Sequence, residues 1–88
     1  PYNGLGTAYR QQGNLDGAIY CWEKALELKS DFGPVIYNLG LAYMDKNDFV
    51  KALRLLSQYR DRYSPSLSPD ENKKLETLIN TCKLKSRK

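Results

Sequence analysis

The chain has 88 residues, of which 41% are hydrophobic and 27% are charged, and its formal net charge is +4. A chain of this length forms one small domain with a modest core, and no stretch approaches the roughly 18 apolar residues that a membrane span needs. The sequence has no histidine and only two distant cysteines, Cys21 and Cys82; this excludes the usual zinc arrangements and a disulfide framework, and we expect neither a metal nor any other cofactor.

The first two predicted helices form a pair. The first covers about residues 2–12, where small and apolar residues follow helical spacing at Tyr2, Leu5, Gly6 and Tyr9. Gly13 and Asn14 predict its end, because a glycine readily adopts the left-handed conformation of a helix C-terminus. The second helix covers about residues 15–29, and its apolar stripe consists of Leu15, Ala18, Ile19, Trp22, Ala25 and Leu26.

A second pair and a single terminal helix follow. The pair is predicted at about residues 34–46 and 49–63, with a turn at 46–48 between its helices and a stop at 64–66. Ser68, Pro69 and Glu71 predict the next helix start, because serine can cap, proline suits the first position and glutamate can complete a capping box. One apolar stripe with a polar back is typical of a helix that covers the end of a stack. Its members are Leu75, Leu78, Ile79 and Cys82.

The two helix pairs repeat one pattern at a distance of 34 residues. This offset places Leu5, Gly6, Ala8, Tyr9, Asn14, Ala18 and Trp22 on Leu39, Gly40, Ala42, Tyr43, Asp48, Ala52 and Leu56. Internal repetition at such a period indicates stacked helical units. The two glycines would let a neighbouring helix approach closely, while the aromatic residues fill the larger gaps. We therefore predict a packing role for the shared residues.

The repeat resembles the tetratricopeptide repeat. The residues that match its pattern are Leu5, Gly6, Tyr9, Ala18, Trp22 and Ala25 in the first unit, and Leu39, Gly40, Tyr43, Ala52 and Leu56 in the second. The resemblance implies an all-α fold: a right-handed superhelical stack of antiparallel helix pairs with five helices. It also implies units at residues 1–32 and 33–66, a capping helix at 67–84 and a basic tail at 85–88. Tyr59 stands where the first unit has Ala25, which predicts that this helix meets the terminal helix rather than another regular unit.

By this resemblance, the chain is expected to be a protein–protein interaction scaffold. Members of the family bind a partner's peptide on the concave face, which is lined by the first helix of each unit. The positions that this implies here are Asn3, Thr7, Arg10, Gln11, Tyr37, Asn38, Leu41, Met44, Asp45, Lys73 and Lys74. Their mixture of hydrogen-bonding, apolar and charged side chains suits an extended peptide.

Two alternatives remain open at this stage. Some members of the family hold a C-terminal carboxylate through five lysine, asparagine and other basic positions, of which Asn38 and Lys74 match two. The other alternative is assembly, because the first helix, up to Tyr9, has no cap ahead of it. Since the chain begins at Pro1 rather than at a methionine, we expect further repeats to precede it in a longer protein and the segment alone to associate with another copy.

Other classes of function are not favoured by the sequence. The excess positive charge lies in residues 83–88, where a solvated helix end accounts for it, so a nucleic-acid partner is not expected. Because the chain has no histidine to act as a base for a serine or cysteine nucleophile, we expect no enzymatic activity. No targeting signal is visible, and the unpaired cysteines slightly favour the cytoplasm.

Overall fold

A computed structural model describes residues 2–29 and 32–87, with side chains from residue 4 onward. Within these ranges the chain forms five α-helices and a short 3-10 turn at Ser64–Ser66, with no strand. The helices are α1 (Tyr2–Gln11), α2 (Leu15–Leu28), α3 (Gly33–Asp45), α4 (Phe49–Tyr63) and α5 (Pro69–Lys85). The all-α fold with five helices is therefore confirmed. The bounds of α4 are those predicted, whereas α1, α2 and α3 each end one residue earlier.

Equivalent turns connect the helices of the two pairs. Gly13 and Asn47, which lie 34 residues apart, both adopt a left-handed conformation, with φ of 80° and 64°. The N–H of Asn14 then donates to the carbonyl of Tyr9 at 2.8 Å, and the equivalent N–H of Asp48 donates to the carbonyl of Tyr43 at 2.9 Å. These bonds satisfy carbonyls that the helix end would otherwise leave open.

The same two turns also start the second helix of each pair. The side chain of Asn14 accepts a hydrogen bond from the N–H of Gly17 at 2.9 Å, and that of Asp48 accepts one from the N–H of Lys51 at 3.3 Å. Asparagine and aspartate are favoured at this position because their oxygens satisfy a free N–H of the first turn. Short-range chemistry thus sets both helix–turn–helix units.

The predicted close approach of the helices at two glycines is confirmed. A Cβ atom on Gly6 would lie 2.5 Å from Nε1 of Trp22, and a Cβ atom on Gly40 would lie 2.9 Å from Cγ of Leu56. Both distances are shorter than carbon atoms tolerate, so each first helix needs a glycine where the second helix places its largest buried side chain. One packing contact is therefore built twice, with tryptophan in the first pair and leucine in the second.

The core consists of two clusters. The first joins α2 and α3, and its buried members are Ala18, Ile19, Trp22, Ala25, Val35, Leu39 and Ala42. The second joins α4 and α5, and its buried members are Ala52, Leu56, Leu75, Ile79 and Cys82. Tyr43 packs against both clusters and so connects the two halves of the core. Cys21 and Cys82 are buried free thiols.

The predicted inward stripe of α1 is wrong at Leu5. This side chain is 47% exposed, whereas its repeat equivalent Leu39 is only 3% exposed. The physical reason is the neighbour: α3 packs against α2 of the preceding pair, but no helix of the described chain precedes α1. The same motif is therefore buried in one unit and open in the other.

The connection from α4 to α5 is held by side-chain hydrogen bonds. Ser68 and Glu71 form the predicted capping box, with the N–H of Glu71 donating to Oγ of Ser68 at 3.1 Å and the N–H of Ser68 donating to Oε1 of Glu71 at 3.0 Å. Asn72 donates to the carbonyl of Ser64 at 3.1 Å and accepts from its hydroxyl at 2.7 Å. These bonds fix the path of residues 64–68 against the start of α5.

Candidate functional site

The predicted binding residues lie on α1, α3 and α5, and we call them together the first-helix face. Most of them are exposed, namely Thr7, Arg10, Gln11, Asp45, Lys73 and Lys74. Tyr37, Asn38, Leu41 and Met44 are half-buried. The side chain of Asn3 lies outside the described part of the chain.

One ion pair crosses this face. A guanidinium nitrogen of Arg10 on α1 lies 3.9 Å from a carboxylate oxygen of Asp45 on α3, and both side chains are about half exposed. An exposed pair of this kind contributes roughly 0–1 kcal/mol to stability. Its main consequence is that the two charges offset each other near the α1 end of the first-helix face.

The apolar members of the face are partly explained by packing. Tyr37 and Met44 both pack against the second core cluster. The ring of Tyr37 lies 5.2 Å from that of Tyr59 on α4, which lies 5.1 Å from Tyr63. Leu41, in contrast, is half-buried without belonging to either cluster. Among these apolar residues, Leu41 is therefore the one whose exposure the core does not account for.

A groove brings three of the predicted residues together, and we call it the α3–α5 groove. It has a volume of about 340 Å³, within the range of small ligand sites. Its lining residues are Pro34, Tyr37, Asn38, Tyr59, Leu67, Glu71, Lys74 and Leu75. Tyr37, Asn38 and Lys74 meet here, whereas the α1 residues of the first-helix face do not reach it.

Sequence reasoning missed five groove residues as site residues: Pro34, Tyr59, Leu67, Glu71 and Leu75. Tyr59 carried the available signal, because a ring replaces the small residue of the first unit. As predicted, it meets the terminal helix, since it packs against the cluster that contains Leu75. Nothing in the sequence marked Leu67 as a site residue, because its position in the lining of the groove depends on the path of the α4–α5 connection.

The charged groups of the groove differ in what they already bind. Hydrogen bonds from the N–H and the hydroxyl of Ser68 lower the pKa of Glu71, so its carboxylate is ionised and engaged in the helix cap. Burial raises the pKa of the Tyr59 phenol, and so, to a smaller extent, do the negative charges of the nearby Glu71 carboxylate and the ionised Tyr37 phenol. Lys74 forms no ion pair with any residue of the ranges 2–29 and 32–87.

A second polar cluster ties the two helix pairs together on another side of the molecule. Tyr43 donates a hydrogen bond to Glu23 on α2, and Lys46 forms an ion pair with Asp16. The ammonium group of Lys51 lies 5.3 Å from the centre of the Tyr43 ring. Burial, then the hydrogen bond to Glu23 and the nearby acidic charges, raise the pKa of Tyr43 to about 12. Since its partners lie within the chain, we assign this cluster to the joint between the pairs.

The stability of the protein should therefore depend on Tyr43 in alkaline solution. Its pKa is about 12 when folded against an ordinary value of 10.0, so the unfolded chain loses this proton first. The contribution is complete below pH 10 and is lost as the pH rises towards 12. We expect urea unfolding between pH 9 and 12 to show a shallower loss of stability in Tyr43→Phe than in the unchanged chain. Equal pH slopes would contradict the role of this joint.

Comparison with known proteins agrees with the repeat seen in the structure. A family model described as TPR repeat matches residues 6–47, and one described as tetratricopeptide repeat matches residues 35–66. The chain belongs to the tetratricopeptide repeat family. The resemblance predicted from the sequence is thus confirmed over both helix pairs.

One curated tetratricopeptide relative is a probable UDP-N-acetylglucosamine–peptide N-acetylglucosaminyltransferase SPINDLY from Hordeum vulgare. It is 42% identical to this chain over 49 residues, which are 56% of this chain and 5% of the relative. The chain therefore spans only a small fraction of that relative's length, and the likeness concerns its tetratricopeptide region.

Membership of the tetratricopeptide family sets the general class of function. Tetratricopeptide repeats are generally protein–protein interaction modules. No helix in the described part of the chain is long and apolar enough to cross a membrane. Across the same residues, no group of three or more metal-binding side chains comes together.

Proposed function

We propose that this tetratricopeptide segment binds an extended peptide of a partner protein along the first-helix face. The α3–α5 groove is the observation that supports it: Tyr37, Asn38 and Lys74, which the resemblance to the family implies as peptide contacts, line one cavity of about 340 Å³. Within the proposal, residues 1–32 and 33–66 are the two units, residues 67–84 the capping helix and residues 85–88 a basic tail.

The chemistry of the face suits a peptide. An extended chain needs hydrogen-bonding groups for its main chain and small pockets for alternate side chains. Asn38 offers an amide that can both donate and accept, and Leu41 offers an apolar contact farther along α3. On this proposal the segment acts by binding rather than by catalysis. The activity named for the barley relative is not transferred to it, because the match covers 5% of that protein.

The test is site-specific photo-cross-linking with a benzophenone amino acid. Gln11 on the first-helix face and Gln58 on α4 form a matched pair, since both are exposed glutamines, and Leu41 is a further position on the face. We expect adducts with a different protein in cell extract from positions 11 and 41 but not from position 58. Equal labelling at all three positions would contradict the proposal.

Self-association is the second candidate, and the exposure of Leu5 favours it. Leu5 is 47% exposed, whereas its repeat equivalent Leu39 is 3% exposed. The apolar side chain of Leu5 on α1 is therefore available to pack against another chain. The same cross-linking chains separate the two functions. With the purified chain alone, an adduct of twice the chain mass from position 11 indicates self-association, whereas labelling that needs the extract indicates a partner protein.

A further inference from the structure

A group of unpaired positive charges lies at the end of the molecule where α5 finishes. Residues 77–88 contain four basic residues and no acidic one. Lys83, Lys85 and Arg87 are exposed, and none of them forms an ion pair with any residue of the ranges 2–29 and 32–87. The dipole of a helix places only about half a negative charge at its C-terminus. It therefore accounts for one of these cations but not for all of them.

Apolar side chains lie among these cations. Leu84 is 68% exposed between Lys83 and Lys85, and it lines one cavity with Phe49 and Lys85. The ammonium group of Lys85 lies 5.3 Å from the centre of the Phe49 ring, so the end of α5 meets the start of α4 here. Val50, which follows Phe49, is 66% exposed. We call this region the α4–α5 end, and its members are Phe49, Val50, Lys83, Leu84, Lys85 and Arg87.

The surroundings of Leu84 distinguish it from Leu28 on α2, which is 77% exposed. Leu28 follows Glu27, whose carboxylate lies 3.1 Å from the ammonium group of Lys24. Leu84 instead has a lysine on either side and no acidic residue near it in the chain. Single exposed leucines are ordinary on protein surfaces, but an exposed leucine among unpaired cations is typical of a helix that lies at a membrane interface.

We propose that the α4–α5 end binds the surface of a membrane that contains anionic lipids. The ammonium and guanidinium groups lie at the level of the lipid phosphates and carboxylates, while the side chain of Leu84 enters the boundary between head groups and acyl chains. The long stems of Lys83 and Lys85 allow this, because they keep each charge in water while the leucine between them is buried. The chain lies on the bilayer and does not cross it.

A nucleic acid fits this surface less well. Proteins that bind single strands stack the bases on aromatic rings, but Phe49 packs against the second core cluster and Lys85 lies over its ring. Contacts with the phosphates of a duplex would use the cations and leave Leu84 in water. An anionic lipid surface uses both the charges and the leucine, and it is therefore the occupant that we assign.

This inference goes beyond the proposed peptide binding, because it concerns another part of α5. Leu84 lies ten residues after Lys74, which is about 15 Å along a helix. The α4–α5 end and the α3–α5 groove are therefore separate surfaces.

The test is flotation of the whole chain with lipid vesicles, of phosphatidylcholine alone or mixed with phosphatidylserine. We expect binding to the mixed vesicles only, and weaker binding in high salt, because salt screens exposed charges. Lys83→Gln should weaken binding about fivefold, since one basic residue near an anionic membrane contributes about that factor. Lys73→Gln is the matched control, because it removes an exposed lysine near the other end of α5, and its effect should be clearly smaller.

Leu84→Ala tests the apolar part of the contact, and Leu28→Ala is its matched control. Both leucines are exposed, so neither substitution removes a core side chain, and thermal unfolding checks that both variants are folded. We expect Leu84→Ala to weaken binding to the mixed vesicles roughly fivefold, because the membrane would bury less apolar area. Leu28→Ala should leave this binding unchanged.

Three results would overturn the inference. The first is equal binding to the two kinds of vesicle. The second is an equal effect of the paired substitutions, either at Lys83 and Lys73 or at Leu84 and Leu28, which would reduce the contact to a general attraction between charges. The third is displacement of the chain from the mixed vesicles by duplex DNA or polyglutamate at the same concentration of negative charge. That result would assign the α4–α5 end to a nucleic acid or to an acidic protein.

Discussion

Replacing Trp22 with alanine is expected to lower the free energy of unfolding by about 3–5 kcal/mol. The indole is 1% exposed, belongs to the first core cluster and covers Gly6, so its removal leaves a cavity between α1, α2 and α3. A loss of this size is a large part of the roughly 5–15 kcal/mol that stabilises a typical domain. Because this is the only tryptophan of the chain, urea unfolding is followed by circular dichroism at 222 nm rather than by fluorescence.

The matched control is Trp22→Leu. The second pair already uses this solution, since Leu56 covers Gly40 as Trp22 covers Gly6, so leucine fits the helix spacing and fills part of the cavity. We expect it to cost clearly less than alanine. Two results would contradict the packing role of this side chain. One is a free energy of unfolding of Trp22→Ala within about 1 kcal/mol of the unchanged chain, and the other is an equal loss of stability in the two variants.

Replacing Gly40 with alanine is the second change with a large expected effect. The added Cβ would lie 2.9 Å from Cγ and Cδ2 of Leu56, which is itself fully buried, and α3 packs against both α2 and α4. Overpacking of this kind costs about 1–3 kcal/mol. The gain of up to about 1 kcal/mol that alanine brings to a helix interior is too small to offset it.

Gly4→Ala is the control, because it makes the same substitution in a helix without the clash. A Cβ at Gly4 has nothing within 4 Å, so helix propensity alone predicts an unchanged or slightly higher stability. Thermal and urea unfolding of both variants should therefore give changes of opposite sign or clearly different size. If Gly40→Ala were as stable as Gly4→Ala, the close approach of α3 and α4 would not be a constraint.

The departure at Tyr59 connects the repeat to the candidate site. In the first unit the equivalent residue is Ala25, which is buried in the first cluster beside α3. In the second unit the neighbour is α5, and the ring of Tyr59 packs on Tyr37 and forms part of the groove floor. The ring of Tyr59 thus replaces a small residue at the position where the neighbouring helix is α5 instead of the first helix of another pair, and it lines the groove there.

Much of this fold follows from short-range patterns that are legible in the sequence. All five helices were predicted from the spacing of apolar residues, because residues that recur about every 3.6 positions lie on one face only if the segment is helical. The turns and caps are also local. The left-handed residues Gly13 and Asn47 end a helix, and Asn14 and Asp48 cap the next one, through bonds to residues only a few positions away. A close approach of the neighbouring helix at Gly6 and at Gly40 was also predicted from the sequence, whereas the side chains that meet these glycines, Trp22 and Leu56, were identified by the structure.

Other features depended on which elements become neighbours in space. Leu5 and Leu39 occupy the same position of one motif, yet only Leu39 is buried, because burial is a property of the helix packed opposite and not of the residue. In the same way, Tyr37 was predicted as a contact on the first-helix face, but its ring is half-buried against Tyr59. The α3–α5 groove depends on two such placements. The connection at residues 64–68 brings Leu67 to the groove, and α5 brings Lys74 to the same cavity as Asn38. These two residues are 36 positions apart, so no local pattern in the sequence encodes their meeting.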